Sequence, residues 1–480
     1  MSGRTTTRYM AAIGLALSFV PSLMRRSGKE QVLVSAASAA LGAGAGWATE
    51  TVVVQLARRF AHGETAARLA IAGAGAGAAV ARLDRHPRWA PVATALRVAG
   101  IASLVGWVAP AQRRVVRFDP LPLGAAVALG AGGWGLKGQL KRRGRKTLDY
   151  PFAEYSASVS WGPSSLVSGL DFEGQRFVAG AVGGLAIDPV RVFVGVKSAA
   201  DVAARCELAV AELDRLGGFS RSRVIVCAAT LRGYVNPIPI ASEEHLSDGD
   251  VAHVCVQYFD RRTPFLWRLV PRAAQTHREL MARLAPQAGA TELCIYGESL
   301  GAWASQRPYE DLDAVEAQGV RRALWVGTPY FSALARRLKR AGDDPRALFL
   351  RTSDIRVADP EGAEAARYVF LERLTDPVTV FPGVEALWRR PRADAGPRGL
   401  RWIPGISFVQ GLVDLIKATR WTADEPSSEG HDYRIELPLT VNVAYGHGRP
   451  RDEVARLGQE VLETEAERAR LVRDARRASV

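Results

Sequence analysis

The residues with the clearest chemical potential are a serine and the two glycines around it. Gly297, Ser299 and Gly301 form the pattern G-x-S-x-G within ELCIYGESLGAWASQ, residues 292–306. An apolar, strand-like run precedes the pattern, and a helix-like segment follows it. In a nucleophile elbow of this kind the strand and helix backbones come close, so small residues are needed two positions before and after the serine. We therefore predict that Ser299 is a nucleophile at the amino end of a helix, where free N–H groups favour developing negative charge.

A serine nucleophile needs a general base, and the order of residues along the chain narrows the choice. In folds with this elbow, the acid and the histidine both follow the serine. Five of the seven histidines precede Ser299, which leaves His431 and His447. The acid should follow a late strand. Asp376 comes just after the apolar run YVFLERL and directly before a proline, and Asp354 after the preceding run is the alternative.

The tetrahedral intermediate of such a reaction requires two N–H donors for its oxyanion. The backbone of Leu300 is expected to supply one donor, and the loop after an earlier strand should supply the other. That loop is Thr230–Gly233, in which we take Leu231 as the candidate. This chemistry requires no metal and no organic cofactor.

The four cysteines indicate structural thiols. They are Cys206, Cys227, Cys255 and Cys294. No C-x-x-C pair is present, which argues against a zinc site or thiol exchange. The last three lie in apolar strand-like runs, so we expect buried free thiols.

The elements that must position these residues alternate between strands and helices from about residue 188. The apolar runs are 190–196, 222–230, 251–259, 292–297, 323–327, 347–352 and 366–374. An amphipathic helix over 201–216 is capped by Asp201 and closed by Gly217 and Gly218. Continuous apolar strands that alternate with helices predict a parallel sheet covered on both faces. A charged helix over 451–477 would cover this sheet or bind a partner.

The positive charge of the chain is confined to its first third. The net charge is +14, yet residues 1–146 carry 21 Lys and Arg against five Asp and Glu. Residues 147–480 carry the remaining 42 basic residues against 44 acidic ones. Basic residues that border apolar stretches indicate a membrane domain. No nucleic-acid recognition module is present, so a nucleic-acid partner is not expected.

This first third contains five apolar stretches separated by arginines. They cover about 8–24, 31–57, 67–82, 92–110 and 119–136. A spanning helix needs about 20 apolar residues, and several stretches are near the short limit, so a soluble Ala-rich bundle is the alternative. The run GAGAG at 42–46 and again at 73–77 follows no strand, and its small residues would let membrane helices approach closely.

These patterns predict three parts of the chain. Residues 1–146 form a transmembrane domain of about five spans, 147–187 link it to the next part, and 188–480 form the catalytic domain. The basic run KGQLKRRGRK, 137–146, favours the cytoplasmic side for the catalytic domain, because cytoplasmic loops are rich in Lys and Arg.

The segment between Asp376 and His431 has the composition of a membrane-surface element. Residues 387–421 contain three tryptophans, an apolar run from Ile403 to Ile416, and flanking arginines. Such residues suit the headgroup boundary of a bilayer, and this favours a lid over the active site and a lipid substrate. The alternative is a core helix packed on the sheet.

Nearly the whole chain resembles a family of bacterial membrane-anchored α/β-hydrolases with a polytopic N-terminal domain. The similar stretches are FVPSLMRR (19–26), GPSSLVSGLDFEGQRFVAG (162–180), GESLGA (297–302), ALWVGTPYFS (323–332), SDI near Asp354, TDPV (375–378) and GHDY (430–433). The last stretch is similar to the histidine motif of the family and favours His431 over His447. Two departures stand out, since Tyr296 occupies a position where the family usually has histidine, and EGHDY is a shortened form of a His-rich turn.

The resemblance implies an α-helical multispan membrane domain followed by an α/β-hydrolase domain, and hydrolase chemistry without a defined substrate. Together with the residues, it predicts a membrane-anchored serine hydrolase that cleaves an ester or related acyl bond, with a lipid as the favoured substrate. An acyltransferase with the same triad and a membrane scaffold with a vestigial triad are the alternatives. The oligomeric state stays open.

Overall fold

The computed structural model describes residues 5–59, 170–230, 232–260, 269–342, 344–355, 366–387, 402–418 and 425–478. The chain divides into two compact units. One contains Met1–Arg145 with Val380–Lys417, and the other contains Lys146–Thr379 with Ala418–Val480. The last three predicted spans, the second GAGAG run and most of the predicted linker lie outside the described residues.

The larger unit is built on a parallel sheet of seven strands. The strands are β1 (Val190–Val194), β2 (Arg223–Ala228), β3 (Val251–Val256), β4 (Glu292–Glu298), β5 (Val320–Val326), β6 (Ala347–Arg351) and β7 (Tyr368–Glu372). Their order is β1-β3-β2-β4-β5-β7-β6, and all neighbours run parallel. Each strand overlaps one of the predicted apolar runs, although β5 begins three residues before its run, so the predicted parallel sheet is confirmed. Because the strands are parallel, all their carboxyl ends meet at one edge.

Both faces of the sheet are covered, which explains why the strands are continuously apolar. α3 (Phe172–Ala179), α5 (Pro237–Leu246), α12 (Leu437–Ala444) and α13 (Arg451–Ala478) contribute to one core cluster. α4 (Val202–Arg215), α8 (Leu312–Ala317) and α9 (Ala333–Ala341) contribute to the other, as does most of α6 (Val270–Leu284). Two further helices, α7 (Leu300–Gln306) and α10 (Pro377–Val380), follow β4 and β7.

The helices of this unit begin where the sequence supplies caps. Asp201 accepts a hydrogen bond from the backbone N–H of Ala204 at 2.8 Å, as predicted for the start of α4. The predicted charged tail is α13, and its Val454 and Val461 are buried in the first core cluster. The first half of this helix therefore covers the sheet domain.

The described residues of the smaller unit form two helices from the start of the chain and one from its last quarter. These are α1 (Thr5–Leu17), α2 (Gly28–Arg59) and α11 (Ile406–Ala418). A Cβ on Gly42 would lie 2.0 Å from the carbonyl oxygen of Met10, so glycine is required where α2 crosses α1. This is the close helix approach expected of the first GAGAG run.

Polar contacts tie α11 to the connection between α1 and α2. The side chain of Asp414 is fully buried, and its Oδ2 accepts hydrogen bonds from the N–H groups of Leu23 (3.1 Å) and Met24 (3.4 Å). Gln410 donates to the carbonyl oxygen of Val20 at 2.8 Å. The segment 380–417, which the sequence places in the catalytic domain, thus packs with the N-terminal helices.

The predicted spans reach the described residues only in α1 and α2. Within the part of the chain that the structure describes, none of the helices combines the length and the apolar character that crossing a membrane requires.

Candidate active site

Ser299 lies at the sharp turn between β4 and α7. Its backbone has φ 55° and ψ −118°, a conformation that residues other than glycine rarely adopt. The N–H of Ser299 donates to the carbonyl oxygen of Val326 at the end of β5, at 2.9 Å, which anchors the turn. Strained backbone of this kind is concentrated at functional sites, where the surrounding structure enforces it.

The glycines on either side of Ser299 are required by this turn. A Cβ on Gly301 would lie 2.0 Å from the carbonyl oxygen of Ala228 in β2. A Cβ on Gly297 would lie 2.9 Å from the backbone nitrogen of Ala302. The strand and the helix therefore meet as closely as the sequence pattern predicts.

Leu300 is the first residue of α7, so its N–H has no acceptor within the helix and stays available to an oxyanion. The second expected donor, Leu231, lies outside the described residues. Two other N–H groups of its turn are already used, because Thr230 donates to the carbonyl oxygen of Tyr234 (2.8 Å) and Gly233 to that of Thr230 (3.0 Å). Leu231 and Arg232 are the remaining candidates in this turn.

Asp376 follows β7 and is fully buried. Its Oδ1 accepts a hydrogen bond from the N–H of Val378 at 2.8 Å, and its Oδ2 accepts one from the hydroxyl of Tyr433 at 2.6 Å. The alternative acid, Asp354, is exposed and follows the edge strand β6. Only Asp376 is therefore held in a fixed position by donors from two segments.

His431 meets Asp376 directly. The Nδ1 of His431 is 2.7 Å from Oδ2 of Asp376, and its Nε2 is buried with no hydrogen-bond partner. The imidazole lies over Gly327, where a Cβ would be 2.5 Å from Cε1 of His431. The N–H of Ser299 is hydrogen-bonded to Val326, and the imidazole of His431 contacts Gly327, the next residue along the chain. The end of β5 therefore brings the backbone of Ser299 and the ring of His431 close together.

His447 occupies the opposite edge of the sheet. Its Nε2 is 2.7 Å from a carboxylate oxygen of the buried Glu243 and 3.4 Å from Nη1 of Arg223, the first residue of β2. Ser299 follows the carboxyl end of β4, which is parallel to β2. The structure therefore brings His431, and not His447, to the edge that carries the serine.

A model of the alpha/beta-hydrolase family matches residues 190–445, which is more than half of the 480-residue chain. The chain belongs to the alpha/beta-hydrolase family. The match begins with β1 and ends just after α12, so it covers the sheet and supports a hydrolase-type function for it. No curated protein and no solved structure matches the chain significantly.

In this alpha/beta-hydrolase, the groups around His431 make its imidazole easier to protonate than that of a free histidine. Burial by itself lowers the pKa of His431, but Asp376 outweighs it through its charge and its hydrogen bond, with smaller contributions from Glu298 and Asp432. The pKa of His431 is therefore raised above its ordinary value of 6.5. Burial and Asp376 raise the pKa of Tyr433 well above its ordinary value, so this phenol stays a donor to Asp376.

An aromatic pair lies beside the elbow of the hydrolase. The backbone N–H of Trp303 on α7 donates a hydrogen bond to the carbonyl oxygen of Ser299 at 3.1 Å. Its ring meets that of Phe331 edge to face, with 4.5 Å between the ring centroids. Phe331 is 51% exposed, which is unusual for so large an apolar side chain. The pair forms a partly exposed apolar surface one helical turn after the serine.

The thiols of the described residues are buried, and these residues contain no cluster suited to a metal ion. The four cysteines are free and buried, and burial raises the pKa of each thiol, to about 11 for Cys206 and about 12 for Cys294. No group of three or more His, Cys, Asp or Glu side chains in the described part could hold a metal ion.

Sequence reasoning missed three residues of this site. Tyr433 binds the acid, Gly327 makes room for the histidine, and Glu298 interacts electrostatically with His431. Each lies inside a stretch that carried the family resemblance, which is the signal that could have identified it.

Proposed function

We propose that the chain is a serine hydrolase that cleaves an ester or related acyl bond through Ser299, His431 and Asp376. The observation that carries this proposal is the 2.7 Å contact between His431 Nδ1 and Asp376, next to a serine with a φ of 55°. The unpartnered Nε2 of His431 is the nitrogen that a general base would use.

In the acylation step, the Oγ of Ser299 attacks the carbonyl carbon of the substrate while Nε2 of His431 takes the hydroxyl proton. Asp376 holds the imidazole through Nδ1 and stabilises the imidazolium that forms. The oxyanion accepts hydrogen bonds from the N–H of Leu300 and from Leu231 or Arg232. His431 then returns its proton to the leaving alcohol as the carbonyl re-forms, and Ser299 remains acylated.

In the deacylation step, water attacks the acyl-enzyme and gives its proton to His431. The second tetrahedral intermediate collapses, the carboxylic acid leaves, and His431 returns the proton to Ser299. Transfer of the acyl group to an alcohol would use the same residues, so product analysis separates a hydrolase from an acyltransferase.

A lipid substrate is part of the same proposal. The exposed Phe331 and its partner Trp303 give an acyl chain an apolar surface beside Ser299. The basic and apolar composition of residues 1–146 supports attachment to a membrane, with the catalytic domain on the cytoplasmic side.

The test of the nucleophile is labelling of the full-length protein, extracted in detergent, by a fluorophosphonate probe. Ser299→Ala should abolish labelling and keep the thermal unfolding midpoint of the wild type. Ser220→Ala is the matched control, because Ser220 is an exposed serine of the same unit. Undiminished labelling of Ser299→Ala would refute the assignment.

The same assay tests the base with His431→Gln and His447→Gln. We expect the first variant to lose on the order of 10²–10⁴ in labelling rate, and the second to stay near the wild type. The reverse result would make His447 the base.

The lipid assignment is tested by comparing a short soluble ester with a long-chain ester in vesicles, for the wild type and Trp303→Ala. We expect Trp303→Ala to weaken turnover of the long-chain ester only. A wild-type preference for the short ester, unchanged in the variant, would argue for a small-molecule esterase.

A further inference from the structure

Glu298 places a second carboxyl group next to the nucleophile. It is the last residue of β4 and directly precedes Ser299, and its side chain is half-buried. The hydroxyl of Tyr296 donates to Oε2 of Glu298 at 2.9 Å. In the sheet, Glu298 pairs with Val326 of β5, and the residue after Val326 is Gly327, over which the ring of His431 lies. The hydroxyl of Tyr296 therefore holds the carboxyl, and the pairing of β4 with β5 brings Glu298 beside the strand end that contacts His431.

The groups that interact electrostatically with Glu298 come from three segments. β4 supplies Tyr296, and the turn before α5 supplies Tyr234 and Asn236. The loop before α12 supplies the charged groups, which are His431, Asp432 and Arg434. Arg434 is already paired with Asp432, at 2.9 Å and 2.7 Å. His431 is thus the cation near Glu298 whose charge changes during the proposed reaction.

This inference rests on the proposed function, in which His431 becomes an imidazolium as Ser299 loses its proton. We propose that Glu298 is a positioning residue whose carboxylate, held by Tyr296, acts through His431 to stabilise that imidazolium. Asp376 fixes the imidazole by a direct hydrogen bond, whereas Glu298 adds a second negative charge beside it. Burial raises the pKa of Glu298, while His431, Asn236 and the hydroxyl of Tyr296 oppose this rise. The contribution of Glu298 is therefore lost when its carboxyl is protonated at low pH.

The test is the pH dependence of fluorophosphonate labelling in Glu298→Gln. Without the carboxylate the pKa of His431 falls. The acidic limb of the plot of labelling rate against pH should therefore move to lower pH by up to about one unit. The loss of imidazolium stabilisation should lower the plateau rate by up to about tenfold, since one pKa unit equals a factor of ten.

The matched control is Glu292→Gln, at the other end of the same strand. This variant removes the same charge from the chain but at the end of β4 that is remote from Ser299. It should therefore change neither the acidic limb of the pH–rate profile nor the plateau rate. Glu298→Asp keeps the charge and should restore most of the wild-type limb. Tyr296→Phe removes a donor that favours the carboxylate, so its limb should move in the same direction as in Glu298→Gln, but less.

An unmoved limb in Glu298→Gln, or an equal shift in Glu292→Gln, would overturn the proposal. If Glu298→Gln fails to fold, an unmoved limb in Tyr296→Phe overturns it instead. Failure of the proposed function would look different, because His431→Gln would then label as fast as the wild type.

Discussion

Replacing Gly327 with alanine should disable the site without changing any polar group. The new Cβ would lie 2.5 Å from Cε1 of His431 and 2.9 Å from Cε2 of Tyr433. Non-bonded carbon atoms need about 3.5 Å, so the imidazole would have to retreat by about 1 Å. A misplacement of about 1 Å in a catalytic group can reduce the rate by about 10²-fold. We therefore expect kcat/KM to fall by about two orders of magnitude.

The backbone also contributes to this perturbation, and a second glycine isolates its effect. Gly327 has φ +56°, and alanine at such a φ costs roughly 1–2 kcal/mol of folding free energy. Gly289 has φ +57°, but a Cβ there would meet nothing within 4 Å. Gly289→Ala should therefore show the same strain and full activity.

The assay combines hydrolysis of a p-nitrophenyl ester, the fluorophosphonate labelling rate and thermal unfolding of both variants. The expected pattern is a fall in midpoint for both variants and a loss of turnover and labelling only in Gly327→Ala. Wild-type activity of Gly327→Ala would refute the placement of His431 over this glycine. Equal activity losses in both variants would show that strain alone, and not displacement of the imidazole, is responsible.

Three further predictions follow from the contacts of the acid and the base. Tyr433→Phe removes a hydrogen bond to the buried Asp376, so chemical denaturation should show about 1.5–3 kcal/mol less free energy of unfolding, and an unchanged value would contradict the contact. Asp376→Asn should reduce kcat by about 10⁴, because the imidazole loses its tautomer and orientation, and Asp354→Asn should not; the reverse would identify Asp354 as the acid. The base must be neutral to take the serine proton, and the pKa of His431 is raised above 6.5; kcat/KM should therefore fall as pH drops through an apparent pKa above that value, and a limb below it would argue against His431.

The sheet and the elbow could be predicted because their signals are local. Seven apolar runs separated by helical segments became seven parallel strands. The glycines on both sides of Ser299 predicted a close approach of two backbone segments. In the structure, Gly301 lies against the carbonyl oxygen of Ala228. Chain order alone left two histidines. The resemblance of GHDY favoured His431, and the structure places the two histidines at opposite edges of the sheet, with His431 at the edge that carries Ser299.

Other features depend on contacts between residues far apart in the chain, and no local pattern could predict them. In the sequence, nothing distinguishes Gly327 from a glycine in an ordinary turn. Its role is visible only in the structure, where the ring of His431 lies over it. The apolar segment after Asp376 suggested a membrane surface or a core helix on the sheet. Its α11 joins the N-terminal helices, and not the sheet, through Asp414, which lies 391 residues from its partner Leu23.

The packing of α11 bears on any attempt to excise the catalytic part of this protein. A chain that began at residue 170 would keep Asp414 but lose the N–H groups of Leu23 and Met24 that satisfy its carboxylate. Removing a partner from a buried charged group costs several kcal/mol. Nor can α11 simply be deleted, since it lies on the only covalent path from Asp376 to His431. A workable excision would have to bridge Thr379 and Ala418 with a new loop in addition to shortening the N-terminus.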